Sequence, residues 1–171
     1  MTRFKSTLGM FLVLAVLFVP AIQLTASASS DKDAIAALIE RWSKAFDAHE
    51  VDGVMANYAL GDQLFVFDVI PPREYPSWDA YKKDWQELFA QFPGHIHNTI
   101  SEVSIAVDGS TAYSHYVDDT TMTAKDGTTS EVAARMTDVY RKIGGKWLIV
   151  LEHVSVPVDL ATGKADLLSK P

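Results

Sequence analysis

The sequence predicts an α+β fold, with three amphipathic helices in the first half and an antiparallel meander in the second. Apolar residues recur at helical spacing in three segments before Pro93. After His95 the chain alternates like strands, broken by the turn signals Asp108-Gly109, Lys125-Asp126-Gly127 and Gly144-Gly145. No repeat or linker divides the chain, so one domain is expected.

The first helix is predicted over about 31–49. Ser30 can cap it and Asp33 suits its first turn, and Ile35, Leu38, Ile39, Trp42 and Phe46 form one apolar face. A short second helix follows Asp52 and carries Val54, Met55 and Tyr58 up to Gly61. Leu64 to Ile70 reads as a buried strand that Pro71-Pro72 ends. Ser77 then caps a third helix whose stripe is Trp78, Tyr81, Trp85, Leu88, Phe89 and Phe92, and Pro93-Gly94 stops it. Four strands follow, over about 95–107, 110–124, 128–142 and 146–156.

Residues 1–28 read as a signal peptide. Arg3 and Lys5 precede the apolar run Leu8 to Val19, and Ala26-Ser27-Ala28 offers a cleavage site. That run is about 12 residues against roughly 20 for a membrane span, although an uncleaved anchor is the alternative. A secreted or periplasmic protein is therefore expected, with no membrane contact once the leader is removed. Residues 29–157 form the expected domain, and 158–171 a loosely held C-terminal extension. Without Arg3 and Lys5 the 15 basic residues fall to 13 against 22 acidic ones, a net charge near −9. Such a surface disfavours nucleic acid. The chain has no cysteine, which excludes disulfides and thiolate chemistry.

A loop centred on Ile143-Gly144 sets Tyr140 opposite Trp147 and Asp138 opposite Ile149. One sheet face then carries Ala134, Met136, Asp138, Tyr140, Trp147, Ile149, Leu151, His153 and Ser155. The other carries Arg135 and Glu152 as a cross-strand ion pair, among Val139, Val150 and Val154. Both faces are rich in apolar residues, so both need a cover. Helices cover one; a second copy of the sheet is the simplest cover for the other, giving a homodimer. Partial exposure of β-branched residues is the alternative.

Arg135-Met136-Thr137-Asp138-Val139-Tyr140, Gly145-Lys146-Trp147 and His153-Val154-Ser155 resemble the closing hairpin of SnoaL-like members of the NTF2-like superfamily. The resemblance implies an NTF2-like cone: three N-terminal helices packed on a strongly bent antiparallel sheet, with a pocket between them. It implies that the Trp147 face lines the pocket. The fold hosts isomerases, dehydratases, cyclases and binding or assembly modules, so it does not fix a function. A small, largely apolar ligand is expected, handled either by cofactor-free acid–base chemistry or by binding alone.

Asp138 and His153 on the inward face would be an acid–base pair, or a polar pair satisfied within the core. Phe67-Asp68 resembles the segment where ketosteroid isomerases carry their base, which makes Asp68 a third candidate. Those enzymes also have a first-helix tyrosine; here Trp42 and Phe46 stand in that stretch, which argues against steroid isomerisation. Tyr58, Tyr81, Trp85, Tyr116, Met136 and Trp147 are the expected ligand-binding residues. His95 and His97 share a strand face, with Asp118 or Asp119 as the only third ligand in prospect, so no metal is expected. Asp118-Asp119 otherwise reads as a solvated strand edge. Phosphate-loop, nucleophile-elbow and zinc-helix motifs are missing, and no cofactor is expected.

Overall fold

The apolar face of the first helix is the floor of the molecule. A computed structural model describes residues 21–169, with side chains from Ser29 onward. Helix α1 spans Ala21–Asp47 and buries Ile35, Leu38, Ile39, Trp42 and Phe46, the stripe its periodicity predicts. It begins about ten residues before the expected start at Asp31. The segment 21–30 is compatible with helix, so Ser30 has no end to cap, and Asp31 bonds Lys142 and Trp147 instead. Most of the expected signal peptide lies outside the described residues; no described helix is long and apolar enough to cross a membrane.

Helix α2 (Val51–Met55) is one turn long and buries Val54 and Met55. Strand β1 is only Phe65–Phe67, shorter than the expected 64–70. Asp68 bends the chain out of the sheet, its carboxylate accepting from the Val69 N–H at 2.5 Å, and the proline pair follows. Helix α3 (Trp78–Gln91) starts at Ser77, whose hydroxyl accepts from the Ala80 N–H at 3.3 Å. It therefore follows β1, so the three helices are not one N-terminal block. Gly94 ends the link to the sheet where a Cβ would lie 2.8 Å from the Thr123 carbonyl oxygen, so only glycine passes.

Strands β2 (Ile96–Asp108), β3 (Thr111–Thr123), β4 (Thr129–Ile143) and β5 (Lys146–Ser155) form the predicted meander within a residue or two. The sheet order is β1-β5-β4-β3-β2, and β1 pairs with β5 in parallel, making the sheet mixed. Trp42, Phe46, Trp85 and Phe89 fill the space between α1 and α3, with Trp42 and Trp85 edge to face at 5.8 Å.

The last hairpin departs from expectation in a way that decides the site. Its turn is Gly144-Gly145, with φ of 57° and 82°, angles that suit a type I′ turn. Ile143 therefore faces Lys146 and Tyr140 faces Ile149, two residues from the expected register but on the same faces. A bulge then leaves Val150 without a partner, because Val139 faces Leu151. One extra residue reverses the alternation beyond it. Glu152 turns inward opposite Asp138, and His153 turns outward opposite Thr137. Arg135 faces Ser155, so the expected Arg135–Glu152 pair does not form.

Beyond Ser155 the tail makes the short strands β6 (Val158–Asp159) and β7 (Lys164–Ala165). It returns beside β4, where the Ala133 N–H donates to the Leu167 carbonyl at 2.7 Å. The extension is thus tied to the sheet.

Candidate functional site

Buried and half-buried carboxyls occur in two groups between the sheet and the helices. The deep group is Asp138 on β4 and Glu152 on β5, cross-strand neighbours that are both 0 % exposed. Tyr58 donates to Glu152 Oε2 at 2.7 Å and Tyr81 to Oε1 at 2.6 Å. The Trp42 indole N–H in turn donates to the Tyr58 hydroxyl at 2.8 Å. Tyr140 and Tyr116 donate to Asp138 Oδ2 at 2.7 and 3.1 Å. Since the Tyr140 proton is committed, Ser114, 2.8 Å away, donates to the Tyr140 oxygen. Asp138 Oδ1 is buried without a partner. Burial raises both carboxyls from their ordinary range, and for Glu152 the charge of Asp138 adds to the rise. The pair therefore retains protons in conditions where an exposed carboxylate has lost its own.

The second group opens onto a cavity of about 150 Å³ between α1, α3, the end of β1 and the sheet. Trp42, Phe46, Tyr81 and Trp85 wall one side; Met122, Val132, Ala134, Met136 and Val154 wall the other. Asp68, Asp84 and Asp118 are its charged side chains. Each follows from its element. Asp118 is on β3, two residues beyond inward-facing Tyr116; Asp68 ends β1; Asp84 lies one helical turn beyond Tyr81 on α3. Burial pushes Asp118 up to about 7, helped by the charges of Asp119 and Asp47. It pushes Asp68 up to about 6, against the Val69 N–H and with help from Asp84. Asp84 is raised too, mainly by burial, while accepting from the Tyr75 hydroxyl at 2.6 Å.

Tyr81 joins the two groups. Its hydroxyl donates to Glu152 Oε1 at 2.6 Å and makes a second, longer contact of 3.4 Å to Asp68 Oδ2. The chain Asp68–Tyr81–Glu152–Tyr58–Trp42 is thus a continuous set of hydrogen-bonding contacts from cavity to core.

The expected site residues divide accordingly. Asp68, Tyr81, Trp85 and Met136 line the cavity. Asp138, Tyr58 and Tyr116 lie deeper, in the hydrogen-bonded network. His153 is exposed on the outer face, its ring 5.7 Å from Phe67, so it cannot act with Asp138; the bulge at Val150 is the reason. Trp147 is buried at the other end of the sheet, donating to Asp31 at 2.9 Å beneath Lys142, and lines an open groove outside α1. Asp118, read from sequence as a solvated edge, is 5 % exposed. His97 sits outside, 3.4 Å from Asp47.

Residues 35–159 match the model of the SnoaL-like domain, and the chain belongs to that family. The fold is that of the NTF2-like superfamily. An NTF2-like protein of unknown function from Pseudomonas putida KT2440 is 29% identical, with a TM-score of 0.73 over 86% of this chain and 98% of that one. An NTF2-like superfamily protein from Salmonella enterica serovar Typhimurium is 19% identical, with a TM-score of 0.70 over 81% and 99%. A protein from Novosphingobium aromaticivorans, provisionally described as a scytalone dehydratase, is 17% identical, with a TM-score of 0.70 over 78% and 89%. No curated protein matches the chain.

Proposed function

We propose that the cavity between α1, α3 and the sheet holds a small, largely apolar molecule, and that Asp68 transfers a proton to or from it without a cofactor. One observation carries this reading: Asp68 and Asp118, both displaced toward neutral pH by burial, line the same aromatic-walled cavity. Asp68 serves as the base; its pKa near 6 allows it to be ionised and still basic at neutral pH. Asp118 faces the same space as a second acid. Asp138 and Glu152 take no direct part, because both are buried among tyrosines and neither lines the cavity.

Deuterium exchange at the acidic C–H of a small aryl ketone such as acetophenone tests this. Exchange in D₂O should be faster with the protein than without it, rise with pH through about 6, and fall about 100-fold in Asp68→Asn, the usual order for a lost general base. Equal rates in the two proteins would remove Asp68 from the chemistry. Filling the cavity with Ala134→Phe should abolish both binding and exchange.

Two wider features belong to the same reading. The leader composition supports export, which N-terminal sequencing of the secreted fraction checks. Exposed Val103 and Tyr113 on the sheet support a dimer through its outer face; a monomer by light scattering sinks that part.

A further inference from the structure

The cavity has an uneven chemistry. It carries three carboxyls and no basic side chain. Among the described residues, no ion pair involves Asp68, Asp84 or Asp118. Each spends hydrogen-bonding capacity on a neutral donor: Val69 N–H for Asp68, Tyr75 for Asp84, Thr120 for Asp118. A carboxylate has about four lone-pair sites, so all three retain room for a ligand. The same cavity offers the indoles Trp42 and Trp85 and the ring of Phe46. Negative charge and π faces around one small space complement a cation.

Neither indole N–H is offered to a guest: that of Trp42 donates to the Tyr58 hydroxyl and that of Trp85 is buried without an acceptor, so the rings present their apolar faces. The volume, about 150 Å³, is below the roughly 300–1,000 Å³ of sites for drug-sized ligands, so the guest is small.

We infer that the cavity accepts a small organic ammonium ion with an apolar body, the arylalkylamine class. This rests on the small-molecule reading of the same cavity and narrows it. The ammonium lies among Asp68, Asp84 and Asp118, and its apolar body lies against the rings of Trp42, Phe46 and Trp85. Carboxylate and phosphate ligands are turned away by the same charges. Protons held by Asp118 and Asp68 in the empty cavity leave when the cation enters, so affinity rises with pH. The groups that bias this titration are Asp47 from α1, Asp119 from β3, Asp84 from α3, and Glu152 through Tyr81.

The test uses the full mature chain and two probes of matched shape, 2-amino-1-phenylethanol and 1-phenyl-1,2-ethanediol, followed by calorimetry and tryptophan fluorescence. At pH 8 the amine should bind at least about tenfold more tightly than the diol, the equivalent of about 1.4 kcal/mol. That ratio should shrink towards one at pH 5, and Asp118→Asn should shrink it at pH 8. Equal affinity of the two probes at pH 8, both abolished by Ala134→Phe, would overturn the ammonium inference and leave the small-molecule site standing. Binding of neither probe to the wild type would overturn both. Should Asp118→Asn fail to fold, the pH dependence of the wild-type ratio decides alone.

Discussion

The deep carboxyl pair and the cavity carboxyls are both raised by burial, the first fully enclosed and the second in part, and they differ in what surrounds them. Asp138 and Glu152 accept from four tyrosine hydroxyls, do not line the cavity, and are neighbours across one strand pair. Asp68 and Asp118 meet a hollow and carry at most a few short-range donors. A displaced pKa alone therefore does not mark a site; access does. The network ties α1, the segment after α2, α3 and the sheet together, and Tyr81 carries that order to the cavity wall.

Removing the deep pair's acceptor should be the most damaging change. Glu152→Ala strands the Tyr58 and Tyr81 hydroxyls and leaves a void, a loss of about 3 kcal/mol or more in denaturant unfolding. If the loss were below 1 kcal/mol, the network would not be structural and the contrast with the cavity would fail.

The pH dependence of stability comes next. Asp68 and Asp118 have folded pKa values near 6 and 7 against an ordinary 3.8, so the native state holds more protons than the unfolded chain between about pH 4 and pH 7. Their contribution is fully present below pH 4 and is lost as pH rises through 6 and 7. The ligand-free protein should lose on the order of 2 kcal/mol or more between pH 5 and pH 8. Asp118→Asn should flatten that slope. A slope of opposite sign would mean these carboxyls are ionised and compensated in the free protein.

Glu152→Gln sharpens the contrast with a smaller effect. The amide retains one acceptor for a tyrosine and removes the charge beside Asp138, so the change should cost under about 1 kcal/mol at pH 6 and less at pH 8. His153→Ala should be smallest, within about 0.5 kcal/mol, with no change in probe binding, because the ring is exposed on the outer face.

The elements were legible because their signals were redundant: caps, stripes and glycine turns agreed for α3 and for β2 to β5. The inward face was legible on β4, where Met136, Asp138 and Tyr140 alternate with Thr137 and Val139. It was lost on β5 because Leu148 to Leu151 is an uninterrupted apolar run, in which a bulge leaves no mark on the pattern. That one residue exchanged Glu152 for His153. Asp118 could have been found: it stands two residues from Tyr116 on one strand, so placing Tyr116 inside placed Asp118 inside as well. The cavity itself depends on how α3 seats against β1, which no local pattern encodes.

Carboxyl ¹³C NMR of Asp68, Asp118, Asp138 and Glu152, recorded with and without 2-amino-1-phenylethanol at pH 7, separates the two groups most directly. The cavity carboxyls should move on binding, Asp118 giving up the proton it still shares at this pH, while the signals of the deep pair stay in place. Movement of Asp138 and Glu152 with Asp68 and Asp118 unchanged would locate the working site in the network and contradict the division drawn between the two regions.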